Sequence, residues 1–192
     1  MQNYVVYHLH SDLSNGVTNI DSVTKFKDYV DRASELGMTA MAFSEHGSVF
    51  EWLHKKDYIE SKGMKYIHAC EVYVTASPEI KVRDNMHCVL IAKNYNGFKE
   101  LNKLISQSFN RNDNHFYFTP RIYLDELFNT SENIIITSAC IAGIVSKPND
   151  ELRLKILKFM SQNSDRCFLE IQHHKDQSQC KYNQKLVEYS NI

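Results

Sequence analysis

Short apolar runs alternate along this chain with amphipathic stretches of helical period, and that rhythm limits the folds open to it more than any other feature. Residues 4–7, 39–45, 64–75, 87–93, 133–139 and 166–172 read as strands. A helix starts near Asp21, where Val23, Phe26, Tyr29, Val30, Ala33 and Leu36 keep helical spacing and Gly37 supplies the stop. Further helices are predicted over 49–61, 96–109, 122–128, 149–162 and 179–190, and the 96–109 segment carries the stripe Phe98, Leu101, Leu104, Ile105 and Phe109. Pro78 to Asn85 reads as a polar loop and 110–120 as a polar, aromatic one. A β-then-α order predicts parallel strands covered by helices, in a doubly wound sheet or a closed barrel.

Residues with metal-ligand chemistry recur at the ends of these runs. His8 and His10 lie two apart at the end of Tyr4–Tyr7, so both imidazoles leave the strand on one face, roughly 6 to 7 Å apart by strand rise. His46 follows Met41–Ser44, Glu71 lies within 66–74, His87 opens the run 88–92, and Cys140 follows Ile134–Thr137. A carboxylate within an apolar strand is costly to bury without a cation or donors. A barrel explains the pattern better than an open sheet, because strands far apart in sequence must aim at one centre.

The length suits one domain with a sizeable core, and 43% hydrophobic with 23% charged residues argues against disorder. A net charge of −1 provides no overall basic field, which leaves room for local basic patches or bound cations to meet nucleic acid. Cysteines 70, 88, 140, 167 and 180 read as reduced thiols, not a disulfide framework. The chain opens without a basic, apolar leader and has no apolar run of eighteen residues, so the expectation is a cytoplasmic protein that does not span a membrane.

His8-Leu9-His10-Ser11, Ser44-Glu45-His46-Gly47, Ala69-Cys70-Glu71, Met86-His87-Cys88 and Thr137-Ser138-Ala139-Cys140 resemble successive motifs of the PHP phosphoesterase superfamily. More narrowly, the stretches 92–101 and 168–174 resemble the amino-terminal PHP domain of the bacterial replicative DNA polymerase III alpha subunit. The resemblance implies a distorted TIM-like βα barrel with up to three divalent metals at its mouth. His8, His10 and Glu71 would hold one metal, Glu71 would bridge to a second held with His87 and Cys140, and His46 would belong to a third. His8, His10, Glu71 and His46 would carry the catalysis. Such mixed ligands suit zinc, with manganese or iron in the oxygen-rich positions.

The implied activity is phosphodiester hydrolysis, as 3′→5′ exonuclease proofreading on the 3′ end of a DNA primer beside other replicase subunits. A metal-stabilised, non-catalytic replicase module and a stand-alone small-molecule phosphatase are the alternatives. Two departures from the family pattern stand out. Asn15-Gly16 occupies the place of the usual loop ligand, which leaves open whether Asn15 or Asp21 replaces it. The family's final Asp-x-His strand is expected after the last helix, so residues 1–192 are expected to be a single PHP domain from a longer polymerase chain, incomplete at its C-terminus and weak in turnover.

Bland readings cover the other candidates. His54 and His68 read as a helix-surface and a strand residue, and His115 has no assigned role. His173-His174 can approach the mouth or stay outside, and Asp12 and Asn15 can support the site from the first loop. Lys55-Lys56 reads as a solvated helix face, and Lys93, Arg111 and Arg121 can meet phosphates or serve as ordinary surface charge, which their spacing does not distinguish.

Overall fold

The computed structural model describes residues 4–16, 20–76, 83 and 85–191. Its elements run β1 (Ala40–Phe43), β2 (Lys65–Thr75), β3 (Met86–Ala92), β4 (Phe116–Tyr117), β5 (Thr119–Tyr123), β6 (Ile134–Thr137) and β7 (Cys167–Phe168). The helices are α1 (Phe26–Glu35), α2 (Trp52–Ser61), α3 (Tyr95–Ser108), α4 (Leu124–Phe128), α5 (Asp150–Gln162) and α6 (Gln177–Tyr189). The sheet order is β4-β5-β2-β3-β6-β7, with β1 paired in parallel to the first half of β2.

The fold is the expected α/β class, with one correction to strand direction. β5 and β1 are parallel to β2, and β7 is parallel to β6, but β3 is antiparallel to both β2 and β6. Among the described residues no helix lies between β2 and β3, and only ten residues separate Thr75 from Met86, which suits an antiparallel pair where a parallel crossover needs a longer connection. Most of that loop, 77–82 and 84, lies outside the described residues.

Strand alternation separates core from site. On β2, Cys70, Val72 and Val74 enter the main hydrophobic core with Leu101 and Ile105 of α3 and Ile156 of α5, while Glu71 faces the other way. A second core packs Phe26, Val30 and Ala33 of α1 and Ile59 of α2 against Met41 and Phe43. The segment expected to be a strand at 4–7 is extended and bridged to β1 through Val6 and Met41. The sheet curls so that His8, on that first segment, meets Glu170, just beyond the last strand, at 2.5 Å. That curl is the one expected of a barrel-type fold.

Two boundaries move for physical reasons. The helix expected from Asp21 begins at Phe26, because Asn15 ties down the preceding residues: its Nδ2 donates to Ser22 O at 2.7 Å and its Oδ1 accepts from Asp21 N at 2.7 Å. The loop expected over 110–120 contains β4 and the start of β5. Pro120 disguises β5, since proline lacks the ladder donor and a strand of this length carries little pattern.

α3 is anchored by contact with the loop before β6. A Cβ on Gly97 would lie 2.2 Å from the carbonyl oxygen of Asn133. Alanine is the better helix former by about 1 kcal/mol, yet the clash is with backbone and cannot rotate away. Gly97→Ala is therefore expected to lower the unfolding free energy by about 1–3 kcal/mol in urea titration, opposite in sign to helix propensity.

Candidate metal centre

Glu71 is the hub of the site. It is 1% exposed and sits in the middle of β2, with imidazoles delivered to it from separate elements. Its Oε2 contacts Nε2 of His8 and lies 3.4 Å from Nε2 of His10; its Oε1 lies 3.1 Å from Nδ1 of His46 and contacts Nδ1 of His87. Two groups of donors close enough to share an ion result, His8–His10–Glu71 and His46–Glu71–His87. The Cys140 Sγ is 3.8 Å from Nδ1 of His87, which places it beside the second group. All six residues expected from the sequence thus gather at one mouth. His46, expected at a third metal, lies close to both Glu71 and His87.

The outer nitrogens explain the orientation of the inner ones. Nδ1 of His8 is held by Glu170 Oε1 at 2.5 Å, and Nδ1 of His10 by Ser14 Oγ at 2.9 Å. Ser14 Oγ itself donates to Glu45, so it is free to accept from His10. Nε2 of His46 lies 3.2 Å from Asp21 Oδ2, so Asp21 does reach the site, placed there by the Asn15 clamp. With each outer nitrogen donating its proton, the inner nitrogens of His8, His10 and His46 in their neutral form turn lone pairs toward the Glu71 carboxylate. Lone pairs facing an anion repel unless positive charge lies between them.

Two of these atoms show the mismatch directly. His46 Nδ1 and Glu71 Oε1 are buried and 3.1 Å apart, yet neither makes a hydrogen bond. Protons could supply the missing charge only by crowding imidazolium rings together. The His10 and His46 rings stack at 4.2 Å, and like charges at that spacing repel by about 4 kcal/mol at an effective dielectric of about 20. Divalent cations provide the charge with neutral imidazoles, so the donor set fits metal. In the metal-free chain, burial raises the Glu71 carboxyl, but contacts from His10, His46, His8 and His87 outweigh it and hold it far below the carboxylate range. Burial lowers the His8 imidazole, but Glu170 and Glu71 prevail and push it up to about 9. Burial pushes the Cys140 thiol up, so a thiolate there needs a cation.

A second layer, missed in the sequence, braces the first loop. Glu45 is 1% exposed and accepts from Ser11 N at 3.0 Å, from the Ser11 and Ser14 hydroxyls, and from Lys55 Nζ at 2.7 Å. Burial would raise this carboxyl; Lys55 and the serines outweigh it and hold it below its ordinary value. Lys55 is accordingly buried, not solvated, whereas Lys56 is half-exposed and paired with Glu60. Glu170 lies within the motif stretch 168–174. Its signal is the alternation of Cys167 and Leu169, which pack into the core, with Glu170 and Gln172 on the opposite face.

The remaining candidates stand outside the two donor groups. Arg121 is fully buried and donates to the carbonyls of Asn114 and His115, correcting its reading as surface charge. His115 is buried between Asp113 and Glu126, and His68 between Tyr66 and Asn102. His54, His173, His174, Lys93 and Arg111 are exposed. Asp12 pairs with Lys25. The cysteines are free, as expected. Among the described residues, no helix is long and apolar enough to cross a membrane.

The PHP domain family model matches residues 7–174. The DNA polymerase III subunit alpha of Borreliella burgdorferi is 33% identical over 200 residues, covering 97% of this chain and 17% of its own length. The subunit of the same description from Chlamydia pneumoniae is 30% identical over 182 residues, covering 90% of this chain and 14% of its own. The chain thus spans less than a fifth of the curated relatives it matches. A crystal structure of a protein from Bifidobacterium adolescentis, described as a metal-dependent phosphoesterase, superposes with a TM-score of 0.55 at 11% identity, over 98% of this chain and 84% of that one. That likeness is one of fold.

The protonated state of His8 has a measurable consequence. Its pKa, about 9 in the metal-free chain, lies above the ordinary 6.5, so the imidazole carries a proton at pH 7.5 that a metal must displace. Calorimetry in buffers of different ionisation enthalpy is expected to show proton release on zinc uptake. Apparent affinity should rise by about tenfold per pH unit for each proton displaced, and level off above about pH 9.

Proposed function

The chain belongs to the PHP domain family, and from that membership and its donor geometry we propose that it is a metal-dependent phosphoesterase domain of a bacterial replicase, acting on phosphodiesters. The reading rests on one observation: inner imidazole nitrogens of His8, His10 and His46 face a buried carboxylate while their outer nitrogens are held by Glu170, Ser14 and Asp21. That is the arrangement of metal-bound histidines with orienting partners. His8, His10 and Glu71 would hold one ion, and Glu71, His46 and His87 a second, with Cys140 beside it; Asp21 is available to a further ion near His46. Zinc suits the nitrogen- and sulfur-rich set, and manganese or iron the carboxylate side.

Bound divalent ions supply a water of lowered pKa and neutralise charge on phosphoryl oxygens. The chain's own residues do the placing. Glu71 fixes the separation of the two donor groups, Glu170 and Ser14 fix the tautomers of His8 and His10, and the Glu45–Lys55 pair holds the Ser11–Ser14 turn. The similarity to DNA polymerase III alpha subunits supports the 3′ end of a DNA strand as substrate, proofreading as the role, other replicase subunits as partners and the cytoplasm as the setting.

Elemental analysis is the first test. Wild-type protein is expected to hold zinc, manganese or iron, and His8→Ala/Glu71→Ala to hold almost none. With metal restored, a 5′-labelled single-stranded oligonucleotide should shorten from its 3′ end, and Glu71→Gln should slow this by at least roughly a hundredfold. Metal binding without cleavage would favour a scaffold, and cleavage of phosphomonoesters alone a small-molecule phosphatase.

A further inference from the structure

A groove of about 970 Å³ opens at the end of the sheet opposite the metal centre, under the start of β2 and the end of β3. Its Lys65 rim is six residues from Glu71 on one strand, about 20 Å, while its inner end, at Tyr7 and His68, approaches the metal centre from the opposite side. Its wall is aromatic. Trp52 and Phe98 meet edge to face at 5.0 Å, Tyr95 stacks on Phe98 at 6.0 Å and is 72% exposed, and Tyr66 also lines the groove. The rim is cationic: Lys56, Lys65 and Lys93 line it, and no acidic side chain does so among the described residues. Lys56 is paired with Glu60, whereas Lys65 and Lys93 are exposed and form no ion pair among the described residues.

An aromatic wall beside unneutralised ammonium groups complements a flat ring that carries an anion. Ring faces accept a nucleobase by stacking, while lysines act as point charges for phosphate. The volume falls within the range of small-molecule sites. We propose that this groove binds a nucleoside phosphate, with the base against Trp52, Tyr95 and Phe98 and the phosphate at Lys65 and Lys93. An uncharged ligand would leave the lysines unused, and an anion without a ring would leave the stacking faces unused.

Trp52 is the single tryptophan of the chain, so its fluorescence reports the groove directly. The experiment titrates the 192-residue chain with adenosine 5′-monophosphate in EDTA, and repeats it with His8→Ala/Glu71→Ala to remove the metal centre. Saturable quenching that is equal in both proteins is expected, with adenosine and Lys65→Ala/Lys93→Ala each weakening it by about tenfold. Tighter binding of a 5′-phosphorylated oligodeoxyadenylate would assign the end of a strand, and equal or weaker binding the free nucleotide. The proposal is overturned by absence of saturation up to about 10 mM, by quenching that the lysine variant leaves unchanged, or by binding lost with the metal-centre variant. Fluorescence that changes with protein concentration alone would show that a second copy covers the groove, which also overturns it.

Discussion

The site depends on one carboxylate that the fold buries and cannot neutralise with hydrogen bonds alone. Glu71 lies on the strand shared by most of the sheet, flanked by β1, β3 and β5, where withdrawal from water is nearly complete. An isolated carboxylate there would cost several kcal/mol, so it requires positive charge within contact distance. Imidazoles from the first segment, the turn after β1 and the start of β3 converge on it. The antiparallel course of β3 is part of this: it brings His87 to the same end of the sheet as Glu71, where a parallel strand would have placed it at the opposite end.

Around that hub the structure spends further polar groups on orientation. Glu170, Ser14 and Asp21 each engage an outer histidine nitrogen, and the buried Glu45–Lys55 pair anchors Ser14. A buried ion pair of this kind is weak evidence for stability, since desolvation offsets much of its attraction. Its geometric effect is specific: Glu45 accepts from both serines of the turn that follows His10. Asn15, which occupies the position of a ligand in the family pattern, acts instead as a clamp that returns Asp21 to the mouth.

The long, strongly periodic elements were legible from sequence because burial of one face writes a repeat into the residues, as in α1, α3 and β2. The His-x-His pair, Glu71, His87 and Cys140 were legible because ligand-type residues at strand ends interrupt an apolar pattern. β5 was hidden by Pro120 and its shortness. Lys55 and Arg121 were hidden because a charged side chain reads as surface until its partners, Glu45 in one case and backbone carbonyls in the other, are found through the fold.

Taken by itself, the sequence determined the α/β class, the donor-type side chains set at strand ends and the family, because periodicity and residue chemistry are local properties of the chain. Only the tertiary structure decided which imidazoles share Glu71, that His46 pairs with His87 around it, that Glu170 orients His8 from 162 positions away, and that an aromatic, lysine-rimmed groove opens at the far end of the sheet. The reason is physical. Convergence on one carboxylate depends on strand order, direction and curl, which arise from long-range pairing that no local pattern of residues encodes.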